Sequence, residues 1–331
     1  MTNKQDALYP LLFRPALKDY IWGGRNLETI LGRELPEGIV AESWEIAAHE
    51  DGQSVVINGP YAGLTLTELH DKLGLRLIGR NNAWAQERGK FPLLVKLLDA
   101  ADKLSVQVHP DDDYALTHEG NELGKSEMWV ILHAEPKAEL VLGIKKGVTP
   151  DQLRRGISDG SLEHLLHRVP VKAGDHVCVP SGTLHAIMGG ILIAEIQQNS
   201  NTTYRVYDWN RTQNGKARPL HINKAMDVIN FNIVEPGIRP ALLVDESGGV
   251  SRWLLCKNRY FTTELVKIQA GCEFRGYLDG DTLEIWGVIA GGIRVDDTPL
   301  SPVEFTLLPA TMGPYRVVTS TGATCLRTYV D

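Results

Sequence analysis

Three residues in separate strand-like segments carry the chemistry of a metal site: His109, Glu127 and His185. Their surroundings read Ser-Val-Gln-Val-His-Pro-Asp-Asp over 105–112, Gly-Lys-Ser-Glu over 124–127 and Pro-Ser-Gly-Thr-Leu-His over 180–185. Two imidazoles, a carboxylate and the amide of Gln107 make a nitrogen/oxygen ligand set that zinc accepts, and manganese or cobalt as well. Gln107 and His109 on one strand share a face, about 7 Å apart. His109 by itself reads equally as a hydrogen-bonded core histidine. Glu127 opens an apolar run, where a carboxylate must be exposed, paired or metal-bound because burying it alone is costly.

The elements that must bring these residues together are mostly short strands broken by Gly, Pro, Asn and Asp. Residues 91–98 form an apolar run with one lysine, Lys96, which predicts a strand buried on both faces. Over 104–109 the pattern alternates, with Leu104, Val106 and Val108 on one side and Ser105, Gln107 and His109 on the other. Further strands are expected at 128–132, 139–144, 176–179, 191–197 and 203–208. Thr65 with Glu68, and Thr149 with Pro150 and Gln152, read as capping boxes that open two helices, and a third is expected over 223–229. His164 and His167, three residues apart beside Glu163 and Arg168, read as the solvated face of a helix. Many strands with inserted helices predict a mainly β fold of the jelly-roll type. Residues 231–240 read as a connector. The expected organisation is a catalytic domain over 1–230 and a smaller β-domain over 241–331. All ten histidines lie at or before His221, so that second domain offers no imidazole ligand.

Composition narrows the function. The 331 residues are 43% hydrophobic, enough for a packed core, and the formal charge of −7 gives no electrostatic case for nucleic acid or anionic membrane. Cys178, Cys256, Cys272 and Cys325 are far apart and form no C-x-x-C pair, and are read as reduced thiols. Residues 1–10 contain no apolar signal core, and no stretch reaches the roughly 18 apolar residues of a membrane span. The expectation is a cytoplasmic monomer acting on a small molecule.

Gly174, Pro180, Gly182 and His185 fit the pattern G-x5-P-x-G-x2-H, the second sequence motif of cupin barrels; where that motif ends in Asn this chain has Gly189, and the first motif, with its paired histidines, is absent. The wider series of segments resembles the type I mannose-6-phosphate isomerases, in particular their short bacterial branch. It comprises Ile-Trp-Gly-Gly at 21–24, Glu-Ser-Trp-Glu-Ile at 42–46, Phe-Pro-Leu-Leu-Val-Lys-Leu-Leu-Asp at 91–99, the three ligand segments, Gln-Gln-Asn-Ser at 197–200 and Tyr-Arg-Val-Tyr-Asp at 204–208. The resemblance implies a zinc-dependent aldose–ketose isomerase on a cupin barrel, with His109, Glu127 and His185 as ligands and Gln107 as a fourth. It also implies Arg205 as an active-site arginine, and Ser105, Lys96 and Lys125 near the sugar phosphate. Asn201 stands where some relatives carry an acidic residue.

The implied reaction, mannose 6-phosphate to fructose 6-phosphate, moves a proton from C2 to C1 through an enediolate. Lys96, if buried, is a candidate base, because burial disfavours its ammonium form; it reads equally as a phosphate anchor. The fork of Arg205 suits a phosphate or an enediolate oxygen, or a structural pair with Glu195 or Asp208. Two further functions share the ligand set: a non-haem iron cupin oxygenase and a non-catalytic sugar-binding regulator.

Overall fold

Alternation of apolar and polar side chains builds two facing sheets in the middle of the chain. The structure, a computed structural model, describes residues 7–213 and 215–331; residues 1–6, most of the stretch read above for a signal segment, lie outside them. The first sheet has six strands in the order His176–Val179, Glu127–Ala134, Ile191–Gln198, Leu93–Ala100, Glu42–Ile46 and Ala16–Lys18. The second has five: Leu166–Pro170, Glu139–Ile144, His185–Ile187, Val106–Val108 and Tyr204–Tyr207. Glu127–Ala134 and Ile191–Gln198 pair antiparallel in the first sheet, with Glu127 opposite Gln197 and Trp129 opposite Glu195. Leu98, Trp129, Ile131, Val177 and Ile193 from the six-stranded sheet pack against Leu140, Leu142 and Ile187 from the other, closing a jelly-roll barrel of the cupin kind.

The outer face of the five-stranded sheet is also apolar, and helices cover it. Val106, Val108, Val141, Ala186 and Val206 pack on Leu153 of helix Pro150–Asp159 and on Ala225 of helix Ile222–Val228. Thr149 and Gln152 close the expected capping box, and Thr65 with Glu68 does the same for helix Leu66–Leu73, which stops at Gly74. The alternation read over 104–109 holds only from Ser105 onward. The strand begins at Val106, and Leu104, ahead of it, packs in the barrel interior and not with Val106 and Val108. His164 and His167 do not share a helix: the first lies in the 3-10 turn Leu162–Leu165, the second in strand Leu166–Pro170.

By contact density the chain divides into two units. One comprises Leu17–Ser43 and Lys96–Arg239 and holds the barrel interior just described; the other comprises Met1–Ala16, Trp44–Val95 and Pro240–Asp331. In the latter, an eight-stranded sheet and the four-stranded sheet containing Glu273–Leu278 and Gly313–Val318 enclose Val266, Trp286, Val288, Val295, Tyr315 and Val317. Leu11–Arg14 joins that eight-stranded sheet by pairing Leu11 with Leu307. Residues 231–240 contain no strand or helix beyond a single bridge at Val234.

The all-reduced reading of the cysteines is corrected. Cys178 and Cys256 are disulfide-bonded, whereas Cys272 and Cys325 are free. Cys178 is exposed on a strand whose Val177 and Val179 fill the core, so its side chain points out of the barrel. Spacing in sequence cannot reveal disulfide bonding, which depends on the distance and direction of side chains in the fold.

Candidate metal centre and active-site pocket

Strand register sets the first row of the site. His185 pairs with Gln107, and Gln107 pairs with Arg205, so three side chains on adjacent strands project from one face of the five-stranded sheet. The turn that delivers His185 needs its glycine. Gly182 has φ +81°, and a Cβ there would lie 2.9 Å from the Val228 carbonyl oxygen. Gly124 is equally constrained, because a Cβ would sit 2.5 Å from the backbone of Asp111 and Asp112; this close approach brings the segment leading to Glu127 beside the one following His109.

His109, Glu127 and His185 converge, all 2% exposed or less, with their ligating atoms within 4.8 Å of one another. His109 Nδ1 lies 2.8 Å from the Thr202 carbonyl and His185 Nδ1 2.9 Å from the Thr183 carbonyl. A carbonyl oxygen can only accept, so each Nδ1 carries the proton and each Nε2 presents a lone pair. Those lone pairs face Glu127 Oε1 at 3.7 Å from His109 and 3.3 Å from His185. Acceptors this close repel unless a cation lies between them, and His109 Nε2 has no hydrogen-bond partner. A tetrahedral ion with ligands at about 2.0–2.1 Å separates neighbouring ligand atoms by about 3.3 Å. The donor set therefore fits a divalent ion. Burial, then the charge of Lys125 and the neighbouring His185 ring, pushes His109 well below the usual histidine range. Burial lowers His185 to about 4, the Thr183 carbonyl opposing and Lys125 reinforcing the shift. Both rings are thus the neutral ligands a metal requires. The Gln107 amide nitrogen lies 3.4 Å from His185 Nε2, while its oxygen accepts from Ser105 Oγ at 3.1 Å.

Two buried carboxylates that the sequence reading left out of the site complete it. Lys96 Nζ lies 3.4 Å from Glu42 and 3.5 Å from Glu195; Lys125 Nζ lies 3.3 Å from Glu127 and 3.8 Å from Glu195. Burial works against the Lys96 ammonium, but Glu195, Glu42 and Glu127 outweigh it and hold the group protonated above its ordinary range. Burial and then Glu127 push Glu195 up to about 8, against the pull of Lys96 and Lys125. Raised that far, Glu195 keeps its proton near neutral pH while no cation is bound, and a third carboxylate crowded onto two lysines again suits a cation. The signal for Glu195 was the one applied to Glu127, a carboxylate inside an apolar strand, Ile191–Gln198.

These groups line a cavity of about 270 Å³ together with Trp22, Ser105, Asn201, Arg205 and Arg218. Arg205 is not the structural pair considered above. Its NH1 donates to the Pro219 carbonyl at 2.9 Å, its Nε is buried without a partner, and no carboxylate among the described residues bridges it. Asp208 instead holds Arg211 and Arg218.

The matches to known proteins follow this geometry. Residues 11–124 match the model of the phosphomannose isomerase type I catalytic domain. The chain is 41% identical to a probable mannose-6-phosphate isomerase of Bacillus subtilis over 292 residues, 87% of this chain and 88% of that protein. To the mannose-6-phosphate isomerase of Streptococcus mutans it is 47% identical over 223 residues, 67% of this chain and 68% of that one. The crystal structure of the mannose 6-phosphate isomerase from Bacillus subtilis superposes with a TM-score of 0.84 at 36% identity, covering 97% of this chain and 99% of that one.

Proposed function

From the premise that the chain belongs to the type I mannose-6-phosphate isomerase family, we propose that His109, Glu127 and His185 hold the zinc ion of an aldose–ketose isomerase, with Gln107 as a fourth ligand. The enzyme interconverts mannose 6-phosphate and fructose 6-phosphate. The observation that carries the metal reading is the pair of Nε2 lone pairs aimed at one carboxylate oxygen. Manganese and cobalt fit the same donors. The oxygenase and regulator readings are not favoured by the family membership. A sugar-phosphate substrate supports a cytoplasmic location, whereas the disulfide bonding of Cys178 and of Cys256 speaks against a reducing compartment.

Lewis-acid stabilisation of charge developing on the sugar oxygens is what the divalent ion contributes when bound. The chain's own residues do the rest. Ser105, whose hydroxyl donates to Gln107, presents an acceptor, and Arg205 on the adjacent strand presents a donor to the substrate. Lys96 and Lys125 face it as well, fixed as ammonium groups by their carboxylates. Lys96 serves as donor or anchor in that state, and becomes a base at C2 only after passing its proton to Glu42 or Glu195. Near-complete burial of the lysines and carboxylates strengthens each of these interactions by excluding water.

The test is metal removal. Dialysis against a chelator should abolish turnover of mannose 6-phosphate in an assay coupled to fructose 6-phosphate formation, and one equivalent of zinc should restore it. Full turnover by a demonstrably metal-free protein would refute the reading.

A further inference from the structure

The charges around the pocket are divided unevenly. On one side Glu42, Glu127 and Glu195 outnumber Lys96 and Lys125, so the lysines are already neutralised before substrate arrives. On the other side the balance is reversed. Arg205 has no carboxylate partner among the described residues, and Arg218 shares the carboxylate of Asp208 with Arg211, which also pairs with Asp102 at 2.9 Å, so three arginines meet two carboxylates. After burial, the positive charges of Arg218 and Arg211 draw the Arg205 pKa below its ordinary value, with Asp208 opposing. This is the pattern of a cluster that lacks an anion.

Position supports the same reading. Arg205 lies on Tyr204–Tyr207, the edge strand of the five-stranded sheet, two strands and therefore about 10 Å from His185. The chain after Pro219 lies along that edge: the His221 amide donates to the Arg205 carbonyl at 2.8 Å, and the Arg205 amide donates to His221 Nδ1 at 3.1 Å. Arg205 NH1 in turn donates to the Pro219 carbonyl, next to Arg218. Asp208 fixes the remaining freedom of Arg218 by accepting from Nε at 2.7 Å and also from NH2.

We propose that Arg218, aimed by Asp208, acts with Arg205 as the phosphate clamp of the pocket and sets its preference for a phosphorylated sugar. In this assignment Arg218 is a specificity residue, Asp208 a positioning residue, and Lys96 and Lys125 are left to the hydroxyl and proton chemistry near the metal centre. The proposal rests on the isomerase reading. An acyclic hexose 6-phosphate carries its dianion at the end of the chain remote from C1 and C2, as the separation of the two charge clusters requires.

The test uses the full chain with its metal, in wild-type form and as Arg218→Gln, Arg218→Lys and Asp208→Asn. Steady-state kinetics with mannose 6-phosphate and inhibition by inorganic phosphate are measured together. Arg218→Gln should raise KM and the phosphate inhibition constant by a common factor of about 30, as expected for loss of a charge-assisted hydrogen bond, and change kcat far less. Arg218→Lys should recover part of both, since it restores the charge without the fork. Asp208→Asn should raise both constants with Arg218 still present. An Arg218→Gln protein that keeps its fold and shows both constants within about twofold of wild type would overturn the assignment. If Arg218→Gln fails to fold, Asp208→Asn decides: an unchanged phosphate constant overturns the proposal. Calorimetric titration with inorganic phosphate reads the clamp without turnover. Wild-type protein that binds phosphate through Arg218 but does not convert mannose 6-phosphate would fault the isomerase reading and leave the clamp standing.

Discussion

Replacing Glu127 by glutamine keeps the shape of the side chain and removes one charge from a site where that charge has three neighbours. Glu127 is 2% exposed, within 3.7 Å of both histidines and 3.3 Å from Lys125. With it gone, Lys96 and Lys125 meet only Glu42 and Glu195, so the cluster becomes neutral before a metal enters. A divalent ion would then bring two uncompensated charges and find one anionic ligand fewer. Breaking a buried ion pair on one side costs about 3–5 kcal/mol, or a loss of affinity between about 150-fold and about 4,000-fold. Outer contacts alone are worth about 10–100-fold, so a direct ligand should exceed that. The check is zinc content per chain after gel filtration, alongside the coupled isomerase assay and circular dichroism. Glu127→Gln should be folded, well below one zinc per chain, and inactive, with partial recovery in excess zinc. A folded variant that retains one zinc per chain and loses activity would refute the ligand role and move Glu127 to proton transfer. One that retains both would refute the metal centre as drawn.

Three further outcomes follow from the geometry. Arg205→Ala should reduce kcat/KM at least about 100-fold, read in the same assay, because it removes a half-buried guanidinium that lines the pocket; near-normal turnover would place Arg205 outside the reaction. Gly182→Ala should lower thermal stability by about 1–3 kcal/mol and weaken zinc binding, because φ +81° and the Val228 carbonyl both oppose a Cβ; an unchanged melting temperature would mean the turn relaxes freely. In the other unit, burial raises the Glu264 carboxyl, but hydrogen bonds from Arg252 and the charges of Arg327 and Arg252 more than reverse this and hold it below its ordinary value. Its contribution is thus present above the unfolded carboxylate pKa of about 4.3 and is lost as pH falls through the lower folded value. Denaturant unfolding of Glu264→Gln should show lower stability at neutral pH and a shallower further decline below about pH 4 than wild type; parallel pH curves would remove Glu264 from the acid response.

Local signals were the readable part of the sequence. Thr65 and Thr149 marked their helices through side chains three residues away, and the Gly174–His185 pattern located a turn whose glycine is conformationally required. Apolar alternation fixed which side of Val106–Val108 carries Gln107. What escaped depends on contacts distant in sequence. Pairing of Leu11 with Leu307 has no local signature, nor has the disulfide bonding of Cys178 and Cys256. Lys96 illustrates the point most directly: its apolar flanks foretold burial, but its ionisation is decided by Glu42 and Glu195, about 54 and 99 residues away in the chain.

The hydrogen bonds that orient His109 and His185 end on main-chain carbonyls, those of Thr202 and Thr183. Main-chain oxygen atoms are present whatever residue is encoded, so no substitution at 202 or 183 deletes the acceptor; only a change of backbone path does. The tautomer of each ring is thereby shielded from point mutation and tied to loop geometry. In an evolving lineage, the metal centre would then tolerate drift in its surrounding side chains while resisting insertions and deletions in the 181–184 and 199–203 segments.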